Sequence, residues 1–252
     1  MPVGGVSFQI GFRLPPSQGP RRLVAHMVRL FLFDIDGTLI RTGGAGMRAF
    51  AQAFASEFGI VDGVARLQFA GRTDRGLVRE VFEAQGVPVT EENFHRFHDR
   101  YVFLLEEQLK DSQGGAIPGV WEFLRQLEAL PEPPLLGLLT GNIRLGAEIK
   151  LRRFGLWEIF RTGGFGDDHE DRNQIAAIAR ERGGRQLREN LRGEQIVVVG
   201  DTPHDVRCGR AIGAKVLAVS TGGSTWEELE AHRPEWLVAD LRGLKAADVR
   251  GG

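Results

Sequence analysis

Short apolar runs alternate with helical patterns along most of the chain, and this alternation predicts the fold. The apolar runs predict strands at about 28–34, 135–139, 160–165, 195–199, 215–219 and 236–238. The spacing between them predicts helices near 143–154, 172–182 and 203–212. Strands that alternate with helices in this way are typical of a parallel sheet with helices on both faces. The pattern therefore predicts an α/β fold.

Residues 43–115 carry a different pattern, with apolar positions at helical spacing and no strand signal among the helices. Phenylalanine recurs at every fourth position from 50 to 58, and similar spacing continues further along. Amphipathic helices are predicted at about 45–58, 73–85 and 91–110. We expect these helices to form an all-helical cap, inserted after the first strand, with hinges at Gly43-Gly44 and Gly114-Gly115. Closure of the cap across these hinges would exclude water.

The chain is thus predicted to have three parts. These are an N-terminal extension at 1–26, a Rossmann-like core at 27–42 and 116–252, and the helical cap at 43–115. The extension contains Gly, Pro and Arg in place of the continuous apolar segment of a secretory signal, and we expect it to be flexible. Met27 stands just before the first predicted strand and could be the natural start of the protein.

Composition and charge argue against several classes of protein. A net charge of −1 lacks the basic surplus typical of nucleic-acid binders. No stretch reaches the roughly 18 consecutive apolar residues of a membrane span. Cys208 is the single cysteine, which excludes an internal disulfide and a multi-cysteine zinc site and fits a reducing compartment. We therefore expect a cytoplasmic protein without a nucleic-acid or membrane partner; a monomer and a dimer both stay open.

Two carboxylates follow the first apolar run directly, in the segment Asp34-Ile35-Asp36-Gly37-Thr38. In a parallel sheet, ligands bind at the carboxyl ends of the strands, which is where this segment falls. Carboxylates placed so close together repel each other unless a cation or hydrogen-bond donors offset the charge. Because Asp and Gly also form ordinary turns, this segment alone does not distinguish a turn from a functional site.

Two later strands end in polar segments of the same kind. Thr140-Gly141-Asn142 offers a hydroxyl and backbone donors suited to an oxygen of a phosphoryl group. The segment Gly200-Asp201-Thr202-Pro203-His204-Asp205 has the cap and proline of a helix start, which accounts for its acids equally well on its own. Parallel strands, however, bring all these ends to one edge. Four acids would meet there and require a cation, for which magnesium is well suited: Asp34, Asp36, Asp201 and Asp205.

With these motifs in this order, the chain resembles hydrolases of the haloacid dehalogenase superfamily that carry a helical cap after the first motif, of the phosphoglycolate phosphatase type. The match spans nearly everything after Met27. The resemblance implies that Asp34 is the nucleophile and Asp36 the general acid and base. It also implies that the Asp34 side chain, the Asp36 carbonyl and Asp201 hold Mg²⁺, with Asp205 near the waters of the metal.

The chemistry of these residues fits hydrolysis of a phosphate ester. A carboxylate is a weak nucleophile, but an aspartyl-phosphate intermediate divides the reaction into two easier steps. Thr140 and the backbone of Gly141, with Asn142 beside them, would bind the phosphoryl group and offset its charge. The expected function is therefore a magnesium-dependent phosphatase that acts on a small phosphorylated metabolite.

Other functions of the superfamily stay open as alternatives. A sugar-phosphate mutase would need further acid and base residues from the cap, and no clear match for them occurs. A dehalogenase is disfavoured because its relatives generally lack an acid at the position of Asp36, and a phosphonatase is disfavoured similarly. A non-catalytic binding module that kept the fold would not need to tolerate the repulsion among four acids.

The chain departs from the superfamily at one position. Relatives usually carry a lysine before the helix that follows the third strand, where this chain has Asp168-His169-Glu170-Asp171-Arg172. We expect Arg172 to replace that lysine beside the nucleophile and the phosphate, the alternative being a surface salt bridge from Arg172 to Asp168 or Glu170. Lys150 lies some seven residues into its predicted helix, about 10 Å below the strand ends, and is expected not to reach the site.

A polar turn precedes the second predicted cap helix, in the segment Ala70-Gly71-Arg72-Thr73-Asp74. In similar proteins such a turn lies over the site and selects substrates. Arg72 could therefore bind a second anionic group of the substrate. The alternative is that Thr73 caps the helix while Arg72 is solvated.

Overall fold

The structure is a computed structural model that describes residues 27–251. The N-terminal extension that we expect to be flexible lies outside the described residues. The strands are β1 (Leu30–Phe33), β2 (Ile40–Arg41), β3 (Gly115–Ala116), β4 (Leu135–Leu139), β5 (Thr162–Gly164), β6 (Ile196–Gly200), β7 (Lys215–Val219) and β8 (Trp236–Val238). The α-helices are α1 (Ala45–Phe58), α2 (Asp74–Gln85), α3 (Glu91–Lys110), α4 (Val120–Glu128), α5 (Arg144–Arg153), α6 (Arg172–Leu187), α7 (Pro203–Ala211), α8 (Trp226–Ala231) and α9 (Ala246–Arg250).

Six strands form one parallel sheet in the order β5-β4-β1-β6-β7-β8. The central strand, β1, pairs with β4 on one side and with β6 on the other. Phe33 lies opposite Leu138 in the first pairing and opposite Val199 in the second. Because of this register the three strands end at the same level, so the residues that follow them meet at one edge of the sheet.

Helices cover both faces of the sheet, as predicted. On one face, Phe31 and Phe33 pack in a cluster with apolar residues of α4, α5 and α9. On the other face, Leu30 and Leu32 pack with residues of α6 and α7. The alternation of side chains along β1 produces this division, because successive residues of a strand point to opposite faces. A strand buried on both faces reads as a continuous apolar run, which is why the strands could be located in the sequence.

The three helices α1, α2 and α3 form a separate apolar cluster rich in aromatic side chains. Phe54 is at its centre, with its ring centroid 4.4 Å from that of Phe97 and 5.8 Å from that of Phe82. The chain enters this helical cap from β2 and leaves it through β3, which pair antiparallel. The predicted boundaries at 43 and 115 lie beside this small sheet; closure of the cap across them stays a prediction.

None of the helices within residues 27–251 is both long enough and apolar enough to cross a membrane.

Candidate active site

Three buried carboxylates converge at the carboxyl edge of the central sheet. Asp34 follows β1, Asp201 follows β6, and Asp205 lies in the first turn of α7. One oxygen atom from each carboxylate lies within 4.8 Å of the other two. The side chain of Asp36 lies beside them and is turned to Lys150. The structure therefore clusters three of the four acids that the sequence motifs single out, while the Asp36 side chain pairs with Lys150.

Within residues 27–251, the cations beside this cluster do not balance its full ionic charge. Burial, with repulsion from Asp205 and Asp36, raises the pKa of Asp34 to about 6 despite the attraction of Arg172. Burial and repulsion from Asp34 and Asp205 also raise the pKa of Asp201 well above its usual value. When all three carboxylates are ionised, the one guanidinium leaves two negative charges uncompensated. A divalent cation bound by carboxylate oxygens would compensate them, so the donor set fits such an ion.

Asp201 is held in place by neutral donors. Thr38 Oγ1 donates to Asp201 Oδ1 across 2.8 Å, and the backbone N–H of Gly223 donates to Oδ2 across 3.2 Å. Gly37 lies against the same carboxylate with a φ of +84°, and a Cβ atom there would come within 2.6 Å of Asp201 Oδ2. Gly37 thus supplies both the left-handed backbone and the space that the carboxylate requires.

Arg172 is the first residue of α6 and lies inside the site. Its Nη2 atom is 2.9 Å from Asp34 Oδ1 and 2.6 Å from Asp205 Oδ1. The guanidinium is therefore beside the predicted nucleophile, where we expected it. The alternative, a surface salt bridge from Arg172 to its acidic neighbours, is wrong because Asp168 pairs with Arg182 and Glu170 pairs with cap arginines.

Asp205 has protein donors on both of its oxygens. Arg172 binds Oδ1, while the backbone N–H and the hydroxyl of Thr202 donate to Oδ2 across 3.0 and 2.7 Å. The carboxylate thereby caps α7 and also fixes the guanidinium of Arg172. Asp205 thus has both of the roles considered for it from the sequence, in the start of a helix and in the acidic site. A role for Asp205 close to a bound metal stays a prediction.

Lys150 lies in the site, and the expectation that it cannot reach is wrong. Its Nζ atom is 2.6 Å from Asp36 Oδ2 and 2.6 Å from Asn142 Oδ1, and the side chain is buried. The helix α5 begins at Arg144, and side chains of a helix lean toward its N-terminus, so the long lysine side chain spans the remaining distance. Burial lowers the pKa of Lys150, but the combined effect of Asp36, Tyr101 and Asp74 outweighs burial and raises the pKa overall.

The segment that follows β4 forms a polar wall beside the acids. Asn142 Nδ2 donates to Asp36 Oδ2 across 2.9 Å and to Thr140 Oγ1 across 2.8 Å, so the side chain of Asn142 positions Asp36. The buried Thr140 hydroxyl accepts from Asn142 Nδ2 and, across 3.2 Å, from the Asn142 backbone N–H, and it keeps its own proton to donate. A Cβ atom at Gly141 would come within 2.0 Å of the carbonyl oxygen of Arg72, which explains the glycine.

The cap contacts this segment through the start of α2. The backbone N–H of Asp74 donates to the Gly141 carbonyl across 2.8 Å, and Ile143 N donates to Asp74 Oδ2 across 2.9 Å. Thr73 caps the helix by accepting from Gly76 N, as the alternative interpretation of this turn proposed. The guanidinium of Arg72 pairs with Glu80 at 2.7 Å. Binding of a substrate anion by Arg72 therefore stays a prediction.

Lys150 and Asp74 were not identified as site residues from the sequence. Lys150 was assigned to the interior of a helix, and Asp74 was noted as part of a polar turn and no more. For Asp74, the signal was a carboxylate directly after a helix cap, in a turn expected to lie over the site. For Lys150, the signal was the small number of lysines: the chain has only four, so few of them could take the place of the lysine that relatives usually carry.

A cavity of about 400 Å³ lies between the carboxylates and the cap. Its floor includes Asp34, Thr140 and Asp201, and its opposite wall includes Phe50 and Leu77 of the cap. A ligand in this cavity would contact the acids at one end and apolar side chains at the other.

Comparison with known proteins identifies relatives over most of the chain. The sequence model described as haloacid dehalogenase-like hydrolase matches residues 31–219. A phosphoglycolate phosphatase from Synechococcus elongatus is 28% identical over 217 residues, which cover 84% of this chain and 92% of that protein. The protein named probable phosphatase IndB from Dickeya dadantii is 27% identical over 220 residues, which cover 84% of this chain and 90% of that protein.

The fold is also that of solved structures. The crystal structure of CbbY from Rhodobacter sphaeroides in complex with phosphate superimposes with a TM-score of 0.68 at 18% identity, over 86% of this chain and 96% of that one. A hydrolase from Pseudomonas syringae gives a TM-score of 0.65 at 20% identity, over 90% and 100% of the two chains. At these identities the likeness concerns the fold alone.

Proposed function

Because the chain belongs to the haloacid dehalogenase-like hydrolase family, we propose that it is a magnesium-dependent phosphatase that hydrolyses a small phosphate monoester through an aspartyl-phosphate on Asp34. The observation that carries this proposal is the buried cluster in which Asp34 faces Asp201 and Arg172. The names of the relatives agree with it, since two of them are phosphatases.

Asp34 and Asp201 would hold the metal ion through their carboxylates, with the backbone carbonyl of Asp36 as a further ligand. When bound, Mg²⁺ would offset the charge of the phosphoryl oxygens and of the acids around it. The two uncompensated negative charges of the cluster support this assignment.

In the first step, an oxygen of Asp34 would form a bond to phosphorus while the bond from phosphorus to the alcohol oxygen breaks. Asp36 would give its proton to that oxygen, so the alcohol leaves uncharged. In the second step, Asp36 would take a proton from a water molecule whose oxygen attacks phosphorus. The bond between phosphorus and Asp34 then breaks, which releases phosphate and restores the carboxylate.

Three groups would stabilise the phosphoryl group during both steps. The Thr140 hydroxyl and the Gly141 backbone N–H are neutral donors at the floor of the cavity, and Arg172 supplies a fixed positive charge. Donors that are already in position need no reorganisation as charge shifts between the oxygens, which is a main source of rate enhancement in such sites. Lys150 and Asn142 would hold Asp36 in place.

The proposal is tested with the full chain and p-nitrophenyl phosphate. The leaving group of this ester, p-nitrophenolate, departs readily without a proton. We expect turnover with Mg²⁺, none with EDTA, and none for Asp34→Asn. For Asp36→Asn we expect the first step but not the second, so that the protein gains the mass of one phosphoryl group in intact-mass spectrometry. The matched control is Asp167→Asn, at an acid that follows β5 outside the cluster. Turnover by Asp34→Asn equal to that of the control would refute the proposal.

A further inference from the structure

We infer that the leaving group of the substrate has a neutral, apolar body about the size of an aromatic ring, and no second anionic group. This inference rests on the proposed phosphatase function and specifies its substrate class. It follows from the size of the cavity, from the side chains of its cap wall and from the state of the cations that line it.

The cavity is larger than a very small ester requires. Its volume of about 400 Å³ lies within the range of roughly 300–1,000 Å³ found for sites that bind drug-sized ligands. The phosphoryl group would occupy the floor beside Asp34 and Thr140. A leaving group of only two carbon atoms would then leave much of the space toward the cap filled by water.

The wall of the cavity on the cap side has an apolar section beside the polar residues Arg72 and Asp74. Phe50 and Phe69 meet edge to face with ring centroids 5.2 Å apart, and Tyr101 packs beside Phe50 at 5.7 Å. Leu77 and Met47 complete this wall, and Met47 is 54% exposed at the entrance. Such a wall stabilises a leaving group by removing apolar surface from water, and it offers little to a charged one.

The cations of the cavity are already engaged by the protein. Within residues 27–251 four cationic side chains line it, and each has a partner: Arg41 with the Thr221 carbonyl, Arg72 with Glu80, Lys150 with Asp36, and Arg172 with Asp34. A carboxylate or second phosphate on the leaving group would compete with Glu80, Asp36 or Asp34 for three of these cations, while Arg41 has a neutral carbonyl as its partner and keeps its charge. Asp74, a buried acid in the same lining, would repel it further.

The inference is tested by comparing three esters of primary alcohols, so that the leaving groups are chemically similar: benzyl phosphate, ethyl phosphate and phosphoglycolate. With the full chain and Mg²⁺, we expect kcat/KM for benzyl phosphate to exceed that for each of the others by about tenfold or more. A kcat/KM for phosphoglycolate equal to or above that for benzyl phosphate would overturn the inference and leave the phosphatase function intact. Hydrolysis of none of the esters, nor of p-nitrophenyl phosphate, would overturn the phosphatase function itself.

A charge added at the entrance gives an independent test. Met47→Lys adds a cation at the exposed entrance, and its matched control, Met47→Gln, adds a polar group without charge. We expect Met47→Lys to lower the preference for benzyl phosphate over phosphoglycolate by about threefold more than Met47→Gln does. An equal effect of the two variants would show that the leaving group does not pass this wall, and would overturn the inference.

Discussion

Arg172 Nη2 lies 2.9 Å from Asp34 Oδ1, and both side chains are only 7% exposed. The same Nη2 atom also donates to Asp205 Oδ1 across 2.6 Å, and Asp205 is itself tied to the start of α7. The proposed nucleophile therefore faces a cation that cannot move away without leaving a second carboxylate unpaired. Such rigidity suits a group that must stabilise charge throughout a reaction.

Loss of this cation should affect catalysis strongly. We expect Arg172→Ala to lower kcat by about 10²- to 10³-fold, because one fixed charge at the reacting phosphoryl group is lost. Arg172→Lys keeps the charge, and its kcat should lie between those of the wild type and of Arg172→Ala. The control is Arg182→Ala on the same helix, whose side chain pairs with Asp168. Steady-state kinetics, with circular dichroism to verify folding, measure the effect; equal rates for the two alanine variants would contradict the assignment.

Lys150 should act on catalysis through Asp36. We expect Lys150→Met to lower kcat for ethyl phosphate by about 10²-fold and for p-nitrophenyl phosphate much less, because only the former needs a well-placed acid. Asp36 is 43% exposed, so water can solvate its carboxylate once the lysine is gone. The ratio of the two rates is the measurement. A uniform loss with both substrates would indicate a structural role for the lysine instead.

The buried carboxylate of Asp74 should make stability depend on pH. Burial raises its pKa to about 6 from 3.8, so the folded protein binds this proton more tightly than the unfolded chain does. Its contribution favours the folded state at low pH and is lost as the pH rises through about 6. We expect the free energy of unfolding of Asp74→Asn, relative to the wild type, to increase by about 2–3 kcal/mol between about pH 4 and 7.

Urea unfolding in EDTA at several pH values would measure this difference for Asp74→Asn. Asp62→Asn, at an exposed position outside the site, serves as the control. If the free energies of unfolding of Asp74→Asn and the wild type changed in parallel with pH, the ionised Asp74 carboxylate would not destabilise the folded protein.

Gly37 should be required for metal binding. Gly37→Ala places a methyl group against Asp201, whereas the methyl group of Gly243→Ala, at a similar φ of +70°, has no atom of the described part of the chain within 4 Å. Both variants should lose about 1 kcal/mol of stability from backbone strain. Only Gly37→Ala should also lose the rise in Tm that Mg²⁺ produces in the wild type. Differential scanning calorimetry with and without Mg²⁺ distinguishes the two; an unchanged Mg²⁺ effect in Gly37→Ala would contradict the site.

The sequence predicted the acids of the site because each follows a strand buried on both faces. Asp34 and Asp201 end continuous apolar runs, and the rules of parallel sheets bring such ends together. The cap helices were also predicted within a residue or so of their observed bounds, since their aromatic positions repeat at helical spacing. The residue pairs β2 and β3 are too short to give any pattern, and both were missed.

The contacts of Lys150 and Asp74 could not be predicted in the same way. Whether a lysine inside a helix reaches a strand end depends on the tilt of the helix and on the space left by Gly46, where a Cβ atom would lie 3.4 Å from Lys150 Nζ. The contact between Asp74 and Ile143 joins two segments far apart in the chain. Both depend on how the cap packs on the core, for which one sequence holds no local signal.

The pairing of β2 with β3 brings Arg41 opposite Gly115, so the path into the three-helix insertion and the path out of it run side by side. A foreign insertion grafted at this double crossing would also have to reproduce the contacts between the cap and the core, such as those of Asp74 with Gly141 and Ile143 and those of the cap arginines with Glu170. Exchange of the whole segment between homologues would therefore need to carry these core partners with it.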